Sequence, residues 1–448
     1  MKYLVQIEDV CPDISSEARE LYRISPTAAK RGEHFGQLYN QLDRCGEICK
    51  WITSRIQDNE KIWQRSYDKL FHHDEIEITD PNGTVYHLPR KKRTVFIHMA
   101  LLTEEFGLNF GKGALVGGPL GELMQWADLI ASLYVLGHKI VLSWSREMLK
   151  KYVTQTSTPY DQCHSARPAQ ADLFYTDVHG LRQLYELTGT LHKLRCTLRI
   201  LDNFGTEPAY NHAGYVRKHD LPVGYGQYHL NPQQFLTQWP HTPDNSFVGF
   251  VVHRPSAEKM TENVRNMSRA LLYGKREAVL HAPQVKIILT ELRNLNFDIH
   301  ATLWTKQTKD ASEDTLNDYI SSVPDFITNH GYVNQSTFLQ LLRSSKVYVG
   351  LGSPPEGPAA LEAVANGAIF LQPRFKPKKD EYEKKPTSRK LSSQNPYMET
   401  LGRPMSFTYN QFDVDDITAA LTQIKNKEIT PHVPFEFTHE GMLQRIHA

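Results

Sequence analysis

Twice along this chain, apolar runs of strand length alternate with apolar stretches of helical spacing, and one long segment that does neither separates the two series. The first series begins at Thr94. TVFIHMALL (94–102) reads as a strand, LMQWADLIASLYVLG (123–137) as a helix and KIVLSW (139–144) as the next strand; DLFYTDV (172–178), a helix and LRCTLRILD (194–202) continue it. The second restarts at SFVGFVV (246–252) and runs through ALLYG (270–274), a helix over 282–295, IHATLW (299–304), a helix over 335–344, YVGLG, a helix over 358–366 and AIFLQP (368–373). Strands alternating with helices require parallel sheets, and two such series predict two Rossmann-like, doubly wound α/β domains facing a cleft. Residues 1–92 read as a mostly helical preface, with apolar residues at helical spacing over 36–68 and a turn at Asp80-Pro81-Asn82-Gly83. The expected organisation is a helical region (1–92), an N-terminal domain (93–245), a C-terminal domain (246–426) and a tail (427–448) that trails off after a helix over 413–425. A length of 448 residues accommodates it.

The stretch 347–371, VYVGLGSPPEGPAALEAVANGAIFL, reads strand, loop, helix, strand, with Glu356 and Glu362 at the carboxyl end of the first strand. In open α/β sheets ligands sit in that crevice, where a carboxylate can hold the two hydroxyls of a ribose. The plainer reading, a helix-capping Glu and a solvated one, carries equal weight on spacing alone.

Three other segments invite chemistry. In GKGALVGGPLGE, Gly117 falls one place too late for G-x-G-x-x-G, and no Lys-Ser/Thr pair follows, so neither a dinucleotide fingerprint nor a P-loop is present. What remains is a glycine-rich turn delivering Glu122 to a helix start, as a general base or, the better reading on pattern alone, as a cap. Asp413-Val414-Asp415 has the D-x-D form of a divalent-metal pair, but it opens a helix pattern and reads as structural. The connector 204–245 gathers Tyr225, Tyr228, Phe235, Trp239 and His241 beside amides, which suits a carbohydrate platform and an interdomain packing role equally.

With 51 Lys plus Arg against 50 Asp plus Glu, no global field favours nucleic acid. The cluster Pro89-Arg90-Lys91-Lys92-Arg93 reads as a solvated linker. Five cysteines, Cys11, Cys45, Cys49, Cys163 and Cys196, are too few and scattered for a disulfide scaffold. Cys45 and Cys49 stand four apart without a matching pair at zinc spacing, so no metal site is expected. Sequons at Asn82, Asn266 and Asn334 permit a secretory address. No run reaches the roughly 18 apolar residues of a membrane span, and no signal-peptide core opens the chain.

Several long blocks resemble one family. GGPLGELMQWADLIASLYVLGH, ILDNFGTEPAYNHAGY, PHTPDNSFVGFVV, LLYGK, VGLGSPPEGPAALEAVANGAIFLQPRF, KKPTSRKLSSQNPY and PFEFTHEGMLQRI are similar to the α-1,6-mannosylglycoprotein 6-β-N-acetylglucosaminyltransferases, the N-acetylglucosaminyltransferase V family. The resemblance runs from about Tyr3 to the C-terminus. It implies a GT-B glycosyltransferase that moves GlcNAc from UDP-GlcNAc to O6 of the α-1,6-linked mannose of N-glycans, with inversion and without a metal. Carried over by motif, Glu122 is the catalytic base. Glu356 and Glu362 hold the ribose and donor sugar, while Lys385, Arg389 and the helix start at Gly357-Pro358 face the diphosphate. Tyr225, Tyr228, Asp177 and Asp202 face the acceptor glycan. It further implies a Golgi lumenal address and a type II membrane anchor that this sequence does not show; the opening residues, YLVQIEDVCP, look like the inside of a protein.

The chain departs from the family in places. Tyr225 and Tyr228 stand where the family's acceptor segment, PWGKW, has tryptophans, which leaves a smaller stacking surface. His439 stands in EFTHEGML where the family has cysteine, so Cys196 loses its implied partner, and Cys11 lacks its own. These departures keep two alternatives open: a non-catalytic UDP-sugar or glycan-binding relative, and a transferase with a changed acceptor such as an O-mannose glycan.

Overall fold

The computed structural model describes residues 31–71, 75–79, 85–89, 92–103, 110–115, 120–155, 171–191, 194, 197–202, 230, 232–240, 246–255, 266–274, 277–303, 323–382 and 385–447. Two helices, Arg31–Cys45 and Lys50–Leu70, open it, followed by an antiparallel hairpin of β1 (Glu75–Thr79) and β2 (Val85–Pro89). The hairpin pairing brackets the expected turn at 80–83, which itself lies outside the described residues. Between the helices Gly46 takes φ +66°, a conformation that favours glycine, and the turn closes with a disulfide between Cys45 and Cys49. Cys11, Cys163 and Cys196 lie outside the described residues.

The first sheet has the strand order β4-β3-β5-β6-β7-β8, formed by β3 (Thr94–His98), β4 (Lys139–Ser143), β5 (Leu173–Asp177), β6 (Leu198–Leu201), β7 (Phe235–Thr237) and β8 (Ser246–Phe247). Every pairing is parallel. The second has the order β11-β10-β9-β12-β13-β14, with β15 also on β13. Its strands are β9 (Asn266–Tyr273), β10 (Asp298–Ala301), β11 (Ile327–Asn329), β12 (Ser345–Gly350), β13 (Ile369–Tyr382), β14 (Lys385–Ser393) and β15 (Ser406–Asn410). All pair in parallel except β14, which runs antiparallel to the far half of β13 as a long arm. Two helix-flanked, doubly wound sheets are the GT-B arrangement that the resemblance implies.

Local chemistry sets the element ends. All six residues of β12 are buried, as a central parallel strand requires. The helix Gln335–Ser344 starts where Asn334 accepts the Thr337 N–H at 2.9 Å, and Val414–Lys425 starts where Asp413 accepts that of Asp416 at 3.0 Å. Asp413 is thus a helix cap, which explains the D-x-D.

Two segments differ from expectation. Ser246–Phe247, placed by sequence at the head of the second domain, instead pairs with β7 at the edge of the first sheet. The stretch 427–448 does not trail off. A 3-10 turn at Phe435–Phe437 and a helix at His439–His447 return to the first domain, where Met442 and Leu443 are fully buried in one core with Trp63, Met124 and Trp239. Gly441 permits this closeness: a Cβ there would fall 2.1 Å from the Phe435 carbonyl oxygen.

The crossing between the domains is gripped on several sides. Arg55 donates to both carboxylate oxygens of Asp128, at 2.9 and 2.8 Å, and to the Val251 carbonyl at 2.7 Å, while Asp128 accepts the Val251 N–H at 2.7 Å. Val252 donates to the Phe437 carbonyl, and Arg445 to that of Val248.

Candidate active site

The helix Gly121–Val135 is buried from Leu123 through Leu133, wedged between the first sheet and the helices at either end of the chain. Only its first turn reaches the cleft. Leu120 at the N-cap makes no side-chain capping bond, and Glu122 follows, partly exposed. Gly121 abuts the second domain: a Cβ built on it would lie 3.4 Å from Pro358 Cδ. Gln238, at the end of β7, donates to the Gly121 carbonyl at 2.7 Å, and its neighbour Trp239 donates its indole N–H to the Glu356 carbonyl at 2.8 Å. The connector thus stitches the start of the Glu122 helix to the loop after β12.

That loop is held in an unusual shape. Glu356 takes φ +51°, one of two non-glycine residues with positive φ among the described residues, and is 2% exposed. Such backbone strain persists where the surroundings enforce it, and it clusters at ligand sites. Here the enforcing bonds are the Glu356 N–H to the Gln394 carbonyl at 3.0 Å and the Gln394 amide to the Pro354 carbonyl at 2.9 Å. Gly357 has open space where a side chain would project. Glu362, in the helix Ala359–Ala365, is buried and accepts from Gln335 at 3.3 Å. Burial raises its carboxyl pKa, against the opposing pull of Arg55 and of the Gln335 bond.

Tyr273 lies at the carboxyl end of β9, its ring 5.9 Å from that of Tyr348. Burial first, then the charges of Glu362 and Glu122, push its hydroxyl up to about 12. The sequence reading missed it, because a tyrosine closing an apolar strand reads as core; its place before Gly274 at a strand's carboxyl end was the available signal.

The structure thus brings the start of the Glu122 helix close to the loop of Glu356 and Gly357 and the helix of Glu362. Lys385 and Arg389 lie on β14; Lys385 pairs with Tyr382 at the tip of the arm, and the side chains of both are outside the described residues. Tyr225 and Tyr228 are likewise outside them. Asp202 is buried just past β6, where its N–H donates to the Leu236 carbonyl. Asp177 requires a correction. It is wholly buried and accepts the N–H groups of Leu101, His179 and Gly180 at 3.0, 3.0 and 2.9 Å, capping the helix Val178–Thr188. A carboxylate so occupied is a structural cap and does not offer itself to acceptor hydroxyls. Burial raises its pKa to about 6 in spite of those bonds. His439 packs edge-on to Trp63, with ring centroids 4.5 Å apart, and burial drives its pKa down to about 3.

The whole chain, residues 1–448, matches the family model described as Glycosyltransferase family 18. It is 37% identical over 459 residues to the α-1,6-mannosylglycoprotein 6-β-N-acetylglucosaminyltransferase A of Homo sapiens, covering 100% of this chain and 58% of that protein. The B enzyme of Mus musculus is 40% identical over 462 residues, covering 100% and 55%. The Caenorhabditis elegans α-1,6-mannosylglycoprotein 6-β-N-acetylglucosaminyltransferase is 32% identical over 469, covering 99% and 64%. The chain therefore spans less than two thirds of the length of these relatives. Among solved structures, it is similar to the UDP-GlcNAc 2-epimerase of Methanocaldococcus jannaschii, with 11% identity and a TM-score of 0.41 over 79% of this chain and 98% of that one. An α-glucosyltransferase in complex with UDP-glucose and DNA containing an abasic site gives 10% identity and a TM-score of 0.40, over 80% and 93%.

Proposed function

Because this chain belongs to glycosyltransferase family 18, we propose that its cleft transfers GlcNAc from UDP-GlcNAc to O6 of the α-1,6-linked mannose of N-glycans. The product is a β-1,6 branch, formed by a single inverting displacement that needs no metal. The observation that supports this reading is the approach of the Glu122 helix start to Pro358, which joins the loop of Glu356 to the helix of Glu362. Glu122 takes the proton from mannose O6 as that oxygen bonds to the anomeric carbon and the bond to the UDP oxygen breaks. A positioned base of this kind supplies on the order of 10²–10⁴ in rate. Glu356 and Glu362 hold the ribose and donor sugar; Lys385 and Arg389 offset the charge left on UDP. Tyr225, Tyr228 and Asp202 receive the acceptor.

The test is incubation with UDP-GlcNAc and a biantennary N-glycan in EDTA, followed by linkage analysis. A β-1,6 branch is expected; no product, or product only after Mn²⁺ is restored, overturns the reading. The smaller rings of Tyr225 and Tyr228 favour one rival, an altered acceptor such as an O-mannose glycan, which an acceptor panel separates. Binding of donor and glycan without transfer identifies a non-catalytic relative instead. The same reading assigns a Golgi lumenal address with a type II membrane anchor. Among the described residues no helix is long and apolar enough to cross a membrane.

A further inference from the structure

Two adjacent side chains of the connector reach opposite walls of the candidate site. At the end of β7, Gln238 donates its side-chain amide to the Gly121 carbonyl at 2.7 Å, in the first turn of the helix that carries Glu122. The next residue, Trp239, donates its indole N–H to the Glu356 carbonyl at 2.8 Å, in the loop after β12. Both are buried, at 1% and 0% exposure. Buried donors of this kind need partners, and each of these two spends its donor on a backbone oxygen in a different domain.

The pair stands on a rigid footing. The Thr237 carbonyl accepts the N–H groups of Val248 and Gly249 at 3.0 and 2.9 Å, and the Thr237 hydroxyl donates to the Trp239 carbonyl at 2.9 Å. The Trp239 ring packs among Phe250, Tyr397 and Phe437, with centroids 5.5, 5.5 and 5.3 Å away, which fixes the direction of its N–H. The bond to Glu356 has a particular effect because that residue takes φ +51°. Its N–H is held from its own domain, by the Gln394 carbonyl at 3.0 Å, and its carbonyl is held from the first domain, by Trp239. A non-glycine residue keeps that conformation only while its surroundings enforce it. One wall of the site thus owes its shape to a side chain of the opposite domain.

We propose that Gln238 and Trp239 are positioning residues, which together form a strut that fixes the approach of the base Glu122 to the donor sugar held by the Glu356 loop. Both act through other residues, Gln238 through the Glu122 helix and Trp239 through the loop. The assignment rests on the transferase reading above and deepens it by naming what sets the spacing of the two reacting centres. A displacement depends steeply on that spacing: an ångström of misplacement costs on the order of 10² in rate.

Initial-rate kinetics of the whole chain with UDP-GlcNAc and a biantennary N-glycan, beside UDP calorimetry and thermal unfolding, test this. Gln238→Met keeps the length of the side chain and removes its donor; Trp239→Phe keeps an aromatic ring and removes the N–H. Gln238→Met is expected to lower kcat at least about 10-fold with UDP affinity unchanged, since the donor loop keeps its own bond. Trp239→Phe is expected to lower kcat on the same scale and to weaken UDP binding as well. Cutting either end disconnects the strut, so the double variant is expected to show the kcat of the slower single variant and not the product of the two losses. Losses in kcat that multiply, or that only follow the fraction of folded protein, overturn the proposal. So does a Gln238→Met enzyme with wild-type kcat. If Trp239→Phe fails to fold, Gln238→Met alone decides. Wild-type protein that makes no β-1,6 product has a different meaning: it removes the transferase reading, and this assignment with it.

Discussion

At the carboxyl end of the first sheet, Asp177 is wholly buried and takes three backbone N–H groups; at the carboxyl end of the second, Glu362 is also buried but takes one side-chain amide at 3.3 Å. Burial raises the pKa of both. Position and burial alone therefore do not separate a carboxylate whose bonding is used up by the fold from one with capacity left over. The hydrogen-bond count does: Asp177 is saturated by the chain, whereas Glu362 has capacity to spare. Glu122 is a third kind, partly exposed in the first turn of a helix whose N-cap makes no side-chain bond.

Substitutions at these carboxylates test that contrast. The largest effect is expected at Glu122: Glu122→Gln lowers turnover by at least about 10² while UDP affinity stays constant, and undiminished turnover returns the residue to a capping role. Glu362→Gln is expected to weaken donor binding by roughly 10-fold or more, the scale of a charge-assisted bond, with thermal stability unchanged or raised because a desolvated acid is gone. Asp177→Ala shows the reverse pattern, losing about 1–2 kcal/mol of stability as the cap disappears, with UDP affinity untouched. A stable Asp177→Ala protein with weakened acceptor binding makes Asp177 a binding group after all. The smallest effect concerns pH. His439 is neutral in the fold, with a pKa near 3, and titrates near 6.5 when unfolded, so its contribution is complete above about 6.5 and is lost as pH falls toward 3. His439→Phe should flatten the decline of Tm between pH 6.5 and 4, leaving the part due to the neighbouring His253, whose pKa burial also lowers. An unchanged slope removes His439 as a source of acid sensitivity.

The strand, loop and helix around Glu356 and Glu362 were largely legible because their signals are local. A β-branched run, a Gly-Pro turn and two glutamates within one stretch place β12, its loop and Glu362 without knowledge of anything distant. The helix Gln335–Ser344 matches its expected span for the same reason. Long-range features were not legible. Nothing in HEGMLQRIH marks nine residues with a glycine in the first turn as a buried helix; the facing groove, lined by Trp63 and Met124, is contributed from hundreds of residues earlier. Cys45 and Cys49 read as one helical face, and only the break at Gly46 turns them into a bonded pair. The arm of β13 and β14 was missed because FKPKKDEYEKKPTSRK is rich in Lys and Pro, which are poor strand formers.

The return of the His439–His447 helix to the first domain has a consequence for how the molecule is made. Domains commonly fold in the order in which they leave the ribosome. Here the first sheet is synthesised early, but Arg445 grips the Val248 carbonyl, Phe437 accepts the Val252 N–H, and Met442 and Leu443 fill the groove beside Trp63 only after all of the second sheet has been translated. Until then the older half waits with an open apolar groove, and a helix made after the second sheet finishes the domain that was begun before it.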